Sequence, residues 1–147
     1  MAQKYIVGDL VSVWDDTVYQ VAEVVVYNPT YQKYILTNWY IEETKGGISV
    51  AEDRIIPIPL TPEILEKNGW VKEVMSRGVK NSHWVYTKPD IEEYGYFPIY
   101  IEKGIGKEFD VYPFTDNRVC KQIVYIKYVH ELQHLLFGLG LNSEMEV

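Results

Sequence analysis

The side chains with the clearest chemical potential lie near the end of the chain, in the run His130-Glu131-Leu132-Gln133-His134. On a helix, two histidines four residues apart present their imidazoles on one face, an arrangement that binds zinc in metallopeptidases. The glutamate after the first histidine can then act as a general base on a metal-bound water. This pattern makes His130 and His134 candidate zinc ligands, and Glu131 the candidate catalytic residue, of a zinc-dependent hydrolase.

The same run also fits a helix whose role is packing. A catalytic zinc needs a third protein ligand, and Phe137 stands where the extended zinc signature has glycine. The remaining candidate ligands are Glu144 and Glu146 on a short tail, and His83 at the start of a predicted strand. Because no complete ligand set is evident, we predict no catalytic, cofactor-binding or metal-binding residue, and zinc hydrolysis is the alternative hypothesis.

Two further groups are weaker candidates for chemistry. The run Gly104-Ile105-Gly106-Lys107 is too short for a phosphate-binding loop and indicates a turn between strands. Cys120, the only cysteine, lies between Val119 and Lys121 and is more typical of a small packed residue than of a nucleophile.

The motif must be positioned by a helix, because apolar residues recur with helical period from position 128 onward. One arc of this helix carries Tyr128, Val129, Leu132, Leu135, Leu136 and Leu139. We expect Val129, Leu132 and Leu136 to be buried against a sheet. His130 and His134 fall on the opposite side, which predicts a solvated or partly covered face.

The first sixty residues predict a β-module. Five short runs of strand-forming residues are separated by turn signals, and 51–54 suits a single helical turn before the last run, which contains Pro57 and Pro59. This pattern resembles an SH3-like barrel, and Val7-Gly8-Asp9-Leu10-Val11 is similar to the first strand of such barrels. Barrels of this type serve many unrelated functions, so the resemblance implies a fold and no activity.

Residues 61–147 predict a second module of α+β type. Thr61 is a helix cap, Pro62 suits the first helical position, and Asn68-Gly69 ends a helix of about two turns. Strands are predicted over 83–87, 96–102, 108–114 and 120–126, followed by the C-terminal helix. The predicted fold class is therefore α+β, with an SH3-like module over 1–60 and an antiparallel sheet with two helices over 61–147.

Three segments resemble small uncharacterised proteins encoded by phages, prophages and mobile elements of Bacteroidetes. They are Ile58-Pro59-Leu60-Thr61-Pro62-Glu63-Ile64-Leu65-Glu66-Lys67-Asn68-Gly69-Trp70, His83-Trp84-Val85-Tyr86, and Ile126-Lys127-Tyr128-Val129-His130-Glu131-Leu132-Gln133-His134-Leu135. The resemblance implies a phage or mobile-element origin and a cytoplasmic location, and implies no activity. The family pattern varies at positions 131 and 134, which favours a packing helix over a zinc motif.

Charge and composition restrict the partners. The net charge is -7, and the lysines and arginines are scattered, so non-specific nucleic-acid binding, which needs a basic surface, is not expected. The N-terminus has no apolar run suited to a signal peptide or membrane span, and one cysteine fits a reducing compartment, so we predict a cytoplasmic protein without membrane contact.

An acidic balance and thirteen tyrosines suit a surface that meets another protein, for instance a basic one. We therefore predict a non-enzymatic phage or mobile-element accessory protein that binds a protein partner and needs no cofactor. The sequence leaves the identity of the partner and the oligomeric state open. Such a module should expose an apolar or aromatic patch.

Overall fold

Two antiparallel five-stranded sheets and two α-helices make up the computed structural model, which describes residues 4–14, 16–28, 31–38, 47–76, 82–90, 99–103, 106, 108–113 and 124–147. The α+β class is thereby confirmed. Contacts divide the chain into two compact units: Met1–Pro59 with Tyr128–Met145 (unit 1), and Leu60–Lys127 with Glu146–Val147 (unit 2). No helix in the described ranges is long and apolar enough to cross a membrane.

The sheet of unit 1 has the strand order β4-β3-β2-β1-β5, with every neighbouring pair antiparallel. Its strands are β1 (Leu10–Ser12), β2 (Val18–Asn28), β3 (Tyr31–Thr37), β4 (Ile48–Ala51) and β5 (Ile56–Pro57). A 3₁₀ turn at Glu52–Arg54 precedes β5, where the sequence predicts a helical turn. Among the described strands no pairing closes this sheet, so the expected SH3-like barrel is not confirmed.

Alternating residues of these strands build the core of unit 1. Side chains that face each other across neighbouring strands, such as Val21 and Leu36 or Tyr34 and Val50, are buried together, as period-two alternation requires. The cluster consists of Tyr5, Val11, Val13, Tyr19, Val21, Tyr34, Leu36, Val50 and Ile55. Because the ring of Tyr5 is part of this cluster, the segment before β1 also contributes to the core.

Unit 2 combines α1 (Pro62–Lys67) with a sheet of order β10-β9-β8-β7-β6. Its strands are β6 (Val71–Ser76), β7 (Ser82–Thr87), β8 (Ile99–Lys103), β9 (Phe109–Pro113) and β10 (Val124–Ile126). Four of them match predicted strands in place, while β6 was not predicted. The predicted residues 96–98, 114 and 120–123 lie outside the described residues.

The ends of α1 follow from local sequence. The Thr61 hydroxyl accepts a hydrogen bond from the Ile64 N–H at 3.3 Å, and Pro62 opens the helix. Gly69 has a φ of +82°, a left-handed conformation that glycine adopts without steric cost, and it ends the helix. Both predicted helix signals are confirmed.

The C-terminal helix, α2, spans Val129–Gly138 and lies in unit 1. Val129, Leu132 and Leu136 are buried, as predicted. The compact unit therefore differs in membership from the module predicted over 1–60, because it includes the helix that the sequence analysis assigned to 61–147. The division into those two domains itself stays a prediction.

Replacing Leu132 with alanine should lower the free energy of unfolding by about 2–5 kcal/mol, because a fully buried side chain would leave a cavity. Urea denaturation measures this change. Phe137→Ala is the matched control on the same helix, since Phe137 is exposed, and it should change the free energy of unfolding by roughly 0.5 kcal/mol or less. Equal losses in the two variants would contradict the placement of α2.

Candidate functional site

The zinc-like motif on α2 lies against residues 4–9, the segment that precedes β1. Within the motif, the side chain of Gln133 makes three hydrogen bonds to the backbone. Its Oε1 accepts a hydrogen bond from the Leu10 N–H at 2.9 Å. Its Nε2 donates to the carbonyl oxygens of Gly8 at 3.1 Å and Ser143 at 3.2 Å. The amide of Gln133 is buried, and this fourth residue of the motif joins three parts of the backbone.

Asp9 and His134 form a second link between segment 4–9 and α2. The buried carboxylate of Asp9 receives the Ile6 N–H at 2.9 Å and lies 2.7 Å from Nε2 of His134. Burial raises the pKa of Asp9, and the bonds from Ile6 and His134 partly offset that rise. When Asp9 is ionised its oxygens only accept, so the proton of a neutral His134 lies on Nε2 and its Nδ1 is the basic nitrogen.

His130 is buried, with only 4% of its surface exposed, whereas the side chain of His134 is 32% exposed, so the helix face that carries both histidines is partly covered, one of the two predicted states. The ring of His130 lies between those of Tyr5 (centroids 4.9 Å apart) and Tyr128 (5.8 Å, stacked). Desolvation lowers the pKa of His130 to about 4, so the imidazole is neutral at pH 7. Segment 4–9 covers this side of α2 at His130, which explains why that histidine is buried.

Glu131, the candidate general base, lies in the first turn of α2. Its Oε2 accepts a hydrogen bond from the backbone N–H of Tyr128 at 3.2 Å. This is the carboxylate half of a capping box, which satisfies a donor at the start of a helix. The bond therefore gives Glu131 a structural role at the helix N-terminus.

As a metal site, the motif offers the ring nitrogens of His130 and His134, and the neighbouring carboxylate of Asp9 is already bonded to the Ile6 N–H and to His134. The rings of His130 and His134 lie with their centroids 5.6 Å apart, and Nδ1 of His130 is buried without a hydrogen-bond partner. No cluster of three His, Cys, Asp or Glu that could hold an ion occurs among the described residues. The side chain of His83 and the whole of Cys120 lie outside them.

The remaining predicted groups are not brought to this site. Of the turn over 104–107 the structure describes Gly106 alone. Glu144 and Glu146 are both exposed. The backbone of Glu146 pairs with the side chain of Asn68, which accepts from its N–H at 2.8 Å and donates to its carbonyl oxygen at 2.7 Å. These bonds belong to unit 2 and explain how the end of the chain is held there.

A surface that the sequence analysis missed lies on the sheet of unit 2. Val74 of β6 and Trp84 of β7 face each other across the two strands and are 54% and 55% exposed. The ammonium group of Lys72 lies 4.8 Å from the centroid of the Trp84 ring, a cation–π arrangement. We call Lys72, Val74 and Trp84 the tryptophan surface.

The comparisons with known proteins found no matching protein-family model, no similar curated protein and no similar solved structure.

Lowering the pH from 7 to 5 should reduce the free energy of unfolding by about 2 kcal/mol through His130. Folding lowers the pKa of this imidazole from 6.5 to about 4, so the unfolded chain binds more protons between these values. The contribution is complete above about pH 6.5 and is lost as the pH falls toward 4. Denaturant titrations across this range measure it.

The matched variant is His130→Phe, which keeps a ring and removes the titration. The raised pKa of Asp9 gives a pH dependence of opposite sign, since its folded form takes up a proton more readily. Asp9 is present in both proteins, so the difference between their pH dependences isolates His130. An identical pH dependence in the two proteins would show that His130 is not buried in its neutral form.

Proposed function

We propose that this protein is a non-enzymatic accessory protein of a phage or mobile element, and that it acts in the cytoplasm by binding a protein partner. The observation that carries the proposal is the exposed pair of Val74 and Trp84 on the sheet of unit 2. Tryptophan is enriched among residues that dominate binding energy at protein interfaces. A large aromatic ring left in water beside a valine favours a contact surface over a purely structural role.

The hydrogen bonds of the zinc-like motif support the non-enzymatic part of the proposal. The Gln133 side chain forms hydrogen bonds with the backbone of Leu10, Gly8 and Ser143. Glu131 accepts a hydrogen bond from the N–H at the start of α2. Nε2 of His134 is engaged by Asp9. Each of these polar groups has a partner that stabilises unit 1, which accounts for their presence without a catalytic role.

For unit 1 we propose an SH3-like module. The support is the strand order β4-β3-β2-β1-β5 with a 3₁₀ turn between β4 and β5. Such modules are common supports for binding surfaces, and the fold by itself names no partner.

The proposal predicts that Trp84 is needed to capture a partner from a host lysate. Protein carrying an affinity tag is incubated with lysate at moderate salt, with and without nuclease, and bound proteins are identified by mass spectrometry. Wild type should retain a specific protein that Trp84→Ser loses by tenfold or more, since removing a central aromatic contact costs roughly 2 kcal/mol or more.

Trp14→Ser is the matched control, because Trp14 is also exposed, at 73%, and belongs to unit 1. It should retain the partner. Recovery of nucleic acid alone, or equal recovery with wild type and Trp84→Ser, would contradict the proposed function.

The alternative is a zinc-dependent hydrolase, favoured by the buried Nδ1 of His130 that has no partner beside His134. Metal analysis of untagged protein purified without chelator separates the two functions. We expect less than about a tenth of an equivalent of zinc, because the described residues contain no group of three His, Cys, Asp or Glu that could hold an ion. One equivalent of zinc that is lost in His130→Ala would make the hydrolase the leading function.

A further inference from the structure

Strand β6 is the last strand in the described order of its sheet. All four residues from Val71 to Val74 are exposed, including 46% of Val71. An edge strand presents N–H and C=O groups that can pair with another chain. Adding a strand to such an edge is a common way for a domain to bind an extended peptide.

The side chains of β6 carry a charge pattern with two faces. Because successive residues of a strand point to opposite faces, Lys72 and Val74 share the face of Trp84. Val71 and Glu73 point to the other face. One face of the edge is thus apolar and basic, while the other is apolar and acidic.

We propose that β6 binds an extended segment of another protein as an added antiparallel strand. The segment reads apolar–basic–acidic–apolar, so that its acidic residue faces Lys72 and its basic residue faces Glu73. This inference rests on the proposed function and names the kind of partner that the tryptophan surface receives. The antiparallel direction continues the sheet, in which every described pairing is antiparallel.

Charge complementarity supports this occupant, since opposite charges placed directly across two strands attract and like charges repel. The two apolar residues of the segment face Val71 and Val74. The residue that faces Val74 also reaches Trp84, which lies beside Val74 on the next strand. Every exposed side chain of the described part of β6 then has a complementary neighbour.

A second copy of this chain does not supply the pattern through its own β6. Facing residues of two antiparallel strands lie on the same face of the sheet, and a two-fold axis between identical edges keeps each residue on its own face. Lys72 can then face Lys72 or Val74 of the other copy, while Glu73 lies on the opposite face. A two-fold dimer therefore cannot place Lys72 against Glu73, whereas a separate segment can.

The test uses two labelled peptides of the same length with flanking threonines. The first has the central sequence valine–lysine–glutamate–valine, and the second exchanges lysine and glutamate. Fluorescence anisotropy with the full chain should give about tenfold tighter binding of the first peptide, because two cross-strand charge pairs change sign. The double variant Lys72→Glu/Glu73→Lys should reverse this preference.

The double variant Lys127→Glu/Glu108→Lys is the matched control. Lys127 and Glu108 form an exposed ion pair of 3.0 Å in the same unit, near β9 and β10. The exchange keeps both the pair and the net charge, so the preference for the first peptide should be unchanged.

Backbone N-methylation of the first peptide tests strand addition itself. Only every second amide of an added strand points toward β6, so methylating one alternate set should abolish binding while methylating the other set should preserve much of it. Equal effects of the two sets, an unchanged preference in the Lys72→Glu/Glu73→Lys variant, or no binding of the first peptide would overturn the inference. Loss of the captured partner in Trp84→Ser alongside any of these results would leave the proposed function standing.

Discussion

The three hydrogen bonds of the Gln133 amide are the constraint on which the organisation of unit 1 depends. Segment 4–9 has no regular secondary structure, and its bonds to β2, from the Gly8 N–H to Val21 and from the Val21 N–H to Asp9, leave further backbone groups that need partners. Gln133 provides them on both sides of Asp9, by bonding Gly8 and Leu10, and it also holds Ser143 in the tail. A buried amide costs little only when its donors and acceptor are all used. The need to satisfy this one side chain fixes where α2 lies against β1.

The contact between segment 4–9 and α2 determines the surroundings of the two histidines of the motif. With segment 4–9 in place, the side of α2 opposite the leucines is covered at His130. His130 is therefore surrounded by Tyr5, Tyr128 and His134 instead of water. A neutral imidazole tolerates such a site better than a charged group does. His134, one turn further along, keeps a partly exposed ring and pairs with Asp9. The residues that indicate a zinc site in the sequence thus form hydrogen bonds that join α2 to segment 4–9 and to the start of β1.

Residue types and spacings predicted those features of the fold that depend on residues close together in the sequence. The Thr61 cap, the stop at Gly69, the 3₁₀ turn before β5 and the buried positions Val129, Leu132 and Leu136 were all evident from spacing and residue type. The burial of His130 was not, because it depends on residues more than 120 positions earlier, and helical periodicity reports only what lies on one helix.

Strand β6 was missed for a different physical reason, and that reason bears on its role. Alternation identifies a strand when one face is buried and the other is solvated. Val71, Lys72, Glu73 and Val74 are all exposed, so apolar and charged residues appear on both faces and no alternation arises. The strand is held instead by its pairing with β7, whose residues Val85 and Tyr86 are buried. A strand that contributes little to the core and retains two exposed valines keeps its edge and its side chains accessible to a partner.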